Sequence, residues 1–319
     1  MKIACLGAGA WGSCLANLLA GKGYRVFLWT KRKGISGKGS LVITDDLREA
    51  TRGADLIVES VTSSGLRECL HRLHDAGIPK APLILTSKGI ERETLLFLPE
   101  VVADVSGDDY ARGIGYLSGP SLACEVREEM PTSVTVAAHT DSLRKEVARL
   151  FSTPYFSVYP SDDVLGTAIG GAMKNIVAIA CAISDGLGFG CNAKATLMTR
   201  GLDEIRALGA MKGCRRETLT GLAGMGDLFA TCLSTASRNY RFGRLLARGL
   251  TPREAHEEIG MVVEGVKTCV SALEIGRKAG IATPVTETVY SIIYGRAEPK
   301  ERLKALLVGA IRKEPAYGL

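Results

Sequence analysis

Residues 2–29 read KIACLGAGAWGSCLANLLAGKGYRVFLW. Lys2–Leu6 is a short apolar strand candidate, and Gly7, Gly9 and Gly12 follow it as G-x-G-x-x-G. Ser13–Ala20 has the composition of a helix, closed by Gly21 and Gly23. Tyr24–Trp29 is the next strand. Strand, glycines, helix and strand in about thirty residues is the context in which this glycine pattern carries a mechanism. Gly7 supplies the tight turn, Gly9 lets the backbone approach a pyrophosphate, and Gly12 lets helix and strand pack closely. The helix N-terminus then offers free N–H groups to phosphates. The stretch predicts a dinucleotide-binding βαβ unit.

The end of the second strand bears on which dinucleotide. A site for NAD(H) usually carries Asp or Glu there, on the ribose hydroxyls. This chain reads Thr30-Lys31-Arg32-Lys33 instead. Three cations and no acid suit a 2′-phosphate, which favours NADP(H) and leaves NAD(H) possible. The alternative is a solvated basic turn. Further βα units follow, with strands expected at Ala54–Val61, Pro82–Ser87, Gly115–Leu117, Thr132–Ala138 and Tyr155–Tyr159. Helices are expected at Gly65–Ala76 and 142–152. Repeated βα alternation predicts an α/β fold with a Rossmann-like, doubly wound parallel sheet. Ligands bind beyond the C-terminal strand ends of such sheets, so Lys88 and Gly119-Pro120-Ser121 are candidate lining residues.

After about residue 160 the strand signals stop. Helices are expected at Asp162–Ile183, Ala193–Leu208, parts of 217–233, Tyr240–Arg248, Thr251–Ile259, Val266–Lys278 and Val285–Tyr294. The chain therefore divides into a dinucleotide-binding domain, 1–160, and an all-α domain, 161–319. In Ala168–Ile183 (AIGGAMKNIVAIACAI) only Lys174 and Asn175 carry polar side chains. A lone helical lysine usually snorkels to water along its own stem. One held in an apolar helix loses hydration, and its pKa falls toward the range useful for proton transfer. Gly221–Asp227 places an acid after a glycine-rich turn. Ser237-Arg238-Asn239 offers a phosphate clamp or, equally, a helix cap beside a surface arginine.

Composition narrows the class. The chain has 319 residues, 46% hydrophobic and 23% charged, as an ordinary two-domain globular protein does. Its net charge of +6 is spread out, which mildly favours anionic ligands. No basic stripe with interleaved aromatics points to nucleic acid. The nine cysteines show neither C-x-x-C nor metal spacing and do not form a disulfide framework, which suits a reducing, cytoplasmic setting. The longest apolar run, 176–183, is too short to span a bilayer, so no membrane insertion is expected.

Several segments together resemble the bacterial-type NAD(P)-dependent glycerol-3-phosphate dehydrogenase family. They are GAGAWG at 7–12, SKGIE at 87–91, LSGPSLACE at 117–125 and PTS at 131–133. The helical half adds GGAMKNIVAIA at 170–180, DGLGFGCNAKA at 185–195 and TRGLDEI at 199–205. GLAGMGDL at 221–228, SRNYRFG at 237–243 and VVEGVKT at 262–268 complete the set. The resemblance implies interconversion of dihydroxyacetone phosphate and sn-glycerol 3-phosphate, supplying glycerophospholipid synthesis, in a homodimer. It implies that Lys174 is the general acid/base, that Lys88 is a second lysine near substrate, and that Asp227 holds Lys174 or a substrate hydroxyl. Gly119, Ser121, Ser237, Arg238 and Asn239 would contact substrate. Gly7, Gly9, Ala10, Trp11, Gly12, Arg32, Lys88, Ala123, Arg238, Val262 and Glu264 would contact the cofactor. No metal is implied.

The chain departs from the family in three places. The segment between Lys33 and Asp45 is shorter, 58–63 reads VESVTS where many members have Val-Pro-Ser, and Leu122 replaces a common Phe. Two other readings compete. A β-hydroxyacid dehydrogenase or ketopantoate reductase would also carry a helix-borne lysine, but not the SRN and GLAGMGD pair. A nucleotide-sensing regulator would keep the glycines and need no buried lysine.

Overall fold

The computed structural model describes residues 1–37, 39–77 and 81–308; the end of the expected helical half, 309–319, lies outside the described residues. The strands are β1 (Lys2–Leu6), β2 (Arg25–Trp29), β3 (Leu41–Thr44), β4 (Leu56–Glu59), β5 (Leu83–Leu85), β6 (Ile114–Ser118), β7 (Thr132–Ala138) and β8 (Phe156–Ser161). They form one sheet in the order β3-β2-β1-β4-β5-β6-β7-β8. Alternate residues of β1 face opposite sides, and both sides are buried. Ile3 and Cys5 join one core with the helix Ala10–Gly21, while Ala4 and Leu6 join another with the helix Leu66–Asp75. Apolar runs without alternation are what a sheet covered on both faces requires.

The strand order reverses at β1, which pairs with both β2 and β4. The C-terminal ends of β1 and β4 therefore open a crevice at a topological switch point, where such sheets bind ligands. The expected all-parallel sheet is corrected at β7, which runs antiparallel to β6 and parallel to β8. The link from β6 to β7 holds only the five-residue helix Ala123–Arg127. A parallel return is usually carried by a full crossover helix, which the link 119–131 does not contain. Sequence reading also missed β3 and the helices Leu47–Thr51, Leu98–Ser106 and Pro299–Val308.

In the second half one helix, Val164–Gly186, forms the axis. Asp163 caps it, its carboxylate accepting from the Gly166 N–H at 2.8 Å. Residues 166–184 are all buried. The helices Gly190–Met211, Asp227–Leu233, Arg238–Ala247, Glu264–Ala279 and Pro284–Ile293 pack around it. Glycines set how closely they approach. A Cβ on Gly170 would lie 2.5 Å from the Ala223 carbonyl oxygen, and one on Gly243 2.5 Å from that of Ile179. By length and composition the axial helix is apolar enough to cross a membrane, yet 94% of its apolar window is buried inside the fold.

Candidate active site

A cleft of about 580 Å³ lies between the sheet's C-terminal edge and the helical half. Its upper part is the glycine turn after β1. Gly7 sits at φ 103°, a left-handed conformation, and a Cβ there would lie 2.7 Å from the Ser60 carbonyl oxygen. A Cβ on Gly12 would sit 2.0 Å from the Gly7 oxygen. A Cβ on Gly9 would meet nothing within 4 Å, because Gly9 faces the open cleft. No side chain caps the helix that begins at Ala10, so its first N–H groups remain available to phosphate oxygens. Trp11 lines the same wall, and its buried indole N–H has no hydrogen-bond partner. These features fit a dinucleotide.

Past β2, Lys31 and Arg32 line the far end of the cleft, with no acid between Thr30 and Lys33. Arg238 enters from the opposite side, its guanidinium donating to the Val262 carbonyl at 2.8 Å. Burial lowers the Arg238 pKa, Glu264 opposes that shift, and the Arg32 charge adds to it. Two guanidiniums that act on each other across a cleft favour an anion between them.

The floor carries three charged groups. Lys174 and Asp227 form a buried ion pair through Nζ and Oδ1. Lys88 Nζ reaches Asp227 Oδ2 at 2.9 Å. Asp227 is 1% exposed and Lys174 7%. Thr231, one helical turn beyond Asp227, accepts from Lys174 Nζ at 2.8 Å and donates its own hydrogen to the Asp227 carbonyl at 2.7 Å. Burial lowers the Lys174 pKa to about 8; Asp227 opposes the shift and the Lys88 charge adds to it. The turn that delivers Asp227 is a π-helical segment, Leu222–Gly226, packed against the axial helix at Gly170. Gly171 makes room for Lys88, whose Cδ would lie 3.4 Å from a Cβ there.

The remaining expected residues fall into three groups. Ser121, Ala123, Ser237, Arg238, Asn239, Val262 and Glu264 line the cleft. Ser237 also caps the helix Arg238–Ala247, accepting from the Tyr240 N–H at 3.3 Å. Asn239 donates to the Asn175 side chain at 2.8 Å and accepts from the Gly265 N–H at 2.9 Å, so it braces the neighbour of Lys174. Glu264 is held from the turn after β4 by Ser63, whose hydroxyl donates to it at 2.6 Å. Gly119 stands apart from the cleft wall, at φ 142°, where a Cβ would lie 2.9 Å from Val134 Cα. Asp227 lies beneath the wall, behind the two lysines. Sequence reading missed Thr231 and Ser63. Thr231 carried one usable signal, its i+4 spacing from Asp227 on one helix face. Among the described residues no group of three or more His, Cys, Asp or Glu could hold a metal ion.

Comparison with known proteins gives a consistent result. Residues 2–144 match the family model for the NAD-dependent glycerol-3-phosphate dehydrogenase N-terminus, and 163–304 match that for its C-terminus. A glycerol-3-phosphate dehydrogenase [NAD(P)+] of Protochlamydia amoebophila is 50% identical over 98% of this chain and 99% of its own length. One from Chlamydia felis is 45% identical over 98% of both chains. The crystal structure of a Coxiella burnetii glycerol-3-phosphate dehydrogenase superposes with TM-score 0.91 at 35% identity, covering 96% of this chain and 98% of that one. A Ralstonia eutropha ketopantoate reductase superposes at TM-score 0.59 with 15% identity, a likeness of fold alone.

Proposed function

The chain belongs to the NAD-dependent glycerol-3-phosphate dehydrogenase family and so is an oxidoreductase interconverting dihydroxyacetone phosphate and sn-glycerol 3-phosphate; from that premise we propose that Lys174 is its general acid/base. When bound, the nicotinamide supplies or takes up the hydride at the substrate's C2. The Lys174 ammonium polarises the C2 carbonyl and gives its proton to the oxygen as that oxygen becomes an alkoxide. In the oxidative direction neutral Lys174 removes the same proton. A pKa near 8 lets one group serve both directions close to neutral pH.

Asp227 bridges both lysines, and this observation carries the reading. Two ammoniums and one carboxylate leave a net positive floor, which favours a developing alkoxide. Lys88, with Ser121, Ser237, Arg238 and Asn239, orients the phosphorylated substrate, and the Gly119 turn supports Ser121. Ser121 Oγ donates to the Gly119 carbonyl at 2.9 Å. The glycine turn, Ala10, Trp11, Ala123, Val262 and Glu264 hold the dinucleotide. Arg32, with Lys31, takes a 2′-phosphate, so NADP(H) is preferred over NAD(H). We place the division between the two domains near residue 161. The family reading extends to a cytoplasmic homodimer supplying glycerol 3-phosphate for glycerophospholipids.

The test is initial-rate oxidation of NADPH and of NADH with dihydroxyacetone phosphate beside a panel of other small ketones. Turnover confined to dihydroxyacetone phosphate, faster with NADPH, is the expected result. Turnover of 2-keto acids instead would move the chain to a ketopantoate-like chemistry.

A further inference from the structure

The end of β4 carries a carboxyl that the mechanism above does not use. Glu59 ends β4, is 1% exposed, and makes no ion pair among the described residues. Its Oε1 accepts from the Val61 N–H at 2.7 Å. Its Oε2 is buried without any hydrogen-bond partner. The titratable groups acting with it are the Cys69 thiol, on the helix Leu66–Asp75, and the Tyr116 phenol, on β6. Neither is a cation. An ionised carboxylate in that position would leave half its charge unpartnered in a dry interior.

The hydrogen count around Ser87 points the same way. Ser87 Oγ lies 2.5 Å from Glu59 Oε1 and 2.5 Å from the Val61 carbonyl oxygen. A serine hydroxyl has one hydrogen, and a carbonyl has none to give. One hydrogen cannot fully serve both contacts, and a protonated Glu59 carboxyl would supply the second. The carboxylic acid then donates to Ser87, and Ser87 donates to Val61. Burial pushes the Glu59 pKa up to about 7 against the hydrogen bonds it accepts, so the carboxyl exchanges its proton close to neutral pH.

Ser87 immediately precedes Lys88. Its carbonyl also accepts from the buried Tyr116 hydroxyl, so Ser87 is fixed through both its side chain and its main chain. The turn after β4 abuts the glycine loop, since a Cβ on Gly12 would lie 2.9 Å from Ser60 Cβ. We propose that Glu59, as a neutral carboxylic acid, is a positioning residue that sets Lys88 against the substrate through Ser87. Ionisation of Glu59 draws the single Ser87 hydrogen to the carboxylate and takes it from the Val61 carbonyl, which loosens the turn beneath Lys88. This inference rests on the reading of Lys88 as a substrate contact.

The test measures KM for dihydroxyacetone phosphate, kcat and the Kd of NADPH in Lys88→Ala, Ser87→Ala and Glu59→Gln, from about pH 6 to 9, a range that brackets the shifted carboxyl. In wild type the KM rises as pH passes through about 7. In Glu59→Gln, which cannot ionise, that rise is absent. Ser87→Ala raises KM by about tenfold, within the roughly 100-fold that an ångström of misplacement can cost, and removes the rise through about pH 7. It leaves the Kd of NADPH unchanged. Ser87→Ala decides the matter alone if Glu59→Gln does not fold. If Lys88→Ala raises KM while Ser87→Ala and Glu59→Gln match wild type throughout, the proposal is overturned and the reading of Lys88 stands. If Lys88→Ala itself leaves KM unchanged, that reading fails and the proposal falls with it.

Discussion

Replacing Asp227 by Asn removes one charge from a floor that holds three. Lys88 and Lys174 would then face each other with nothing to neutralise them. Opposite charges about 4 Å apart interact by about 4 kcal/mol at an effective dielectric of about 20. At about 1.4 kcal/mol per pK unit, and with some return from the Asn dipole, the Lys174 pKa drops by about two to three units. It would move from about 8 to between about 5 and 6. Ketone reduction needs Lys174 protonated, so the rate falls as pH rises through that pKa. At pH 7 the protonated fraction goes from about 90% to a few per cent, a loss of about 30-fold in kcat. The loss should shrink below about pH 5.5, where the variant lysine regains its proton. The assay is the pH profile of NADPH oxidation with dihydroxyacetone phosphate at saturation, together with the thermal midpoint. Breaking a buried pair costs up to about 3–5 kcal/mol, partly relieved here because Lys174 can give up its proton. A variant whose rate is reduced by the same factor at every pH would refute the argument, since Asp227 would then not govern the lysine's proton.

Other expectations follow from the same geometry. Gly12→Ala would set a methyl 2.0 Å from the Gly7 oxygen and should abolish NADPH binding or folding. Gly9→Ala meets no protein atom within 4 Å, so its thermal midpoint should be unchanged while NADPH affinity falls at least tenfold, as isothermal titration would show. Arg32→Glu should weaken NADPH more than NADH, and equal losses would remove Arg32 from 2′-phosphate recognition. Glu204 is buried at the start of the helix Pro284–Ile293, accepting from the Thr286 hydroxyl at 2.7 Å, and burial raises its pKa to about 7. A carboxyl whose folded pKa lies above its unfolded value binds its proton more tightly when folded, so stability falls as pH rises from about 4.5 to 7. Urea unfolding should show a slope of up to about 1.4 kcal/mol per pH unit from this group, and Glu204→Gln should remove that share.

Much of the fold was legible because its signals are local. Gly7, Gly9 and Gly12 sit directly after β1, and the apolar stretch around Lys174 is the axial helix. The helix expected from Ser13 begins at Ala10, since Gly9 is already its N-cap. What escaped reading lacked a local signature. β3 is a four-residue edge strand, half-exposed, whose apolar run is only the three residues Leu41-Val42-Ile43. Strand direction at β7 goes with the lack of a full crossover helix between it and β6, and side-chain period carries no information about that. In the site, Lys174 announced itself as the odd charge in an apolar helix. Its partner Asp227 is distant in sequence, and only the family resemblance joined the two. Glu59 ends the apolar run of β4 and gave no sign that its carboxyl would be sealed inside. Burial on both faces of the sheet is a property of the assembled layers, not of that stretch.

The most direct test of Lys174 as the acid/base is a comparison of Lys174→Ala with wild type, measuring kcat with dihydroxyacetone phosphate and NADPH alongside the Kd of NADPH. Loss of general acid catalysis predicts a kcat at least about 100-fold lower, with the Kd of NADPH unchanged and the fall above about pH 8 gone from the residual rate. Near-normal turnover, or a residual rate that still falls above that pH, would contradict the account and place the proton on another group.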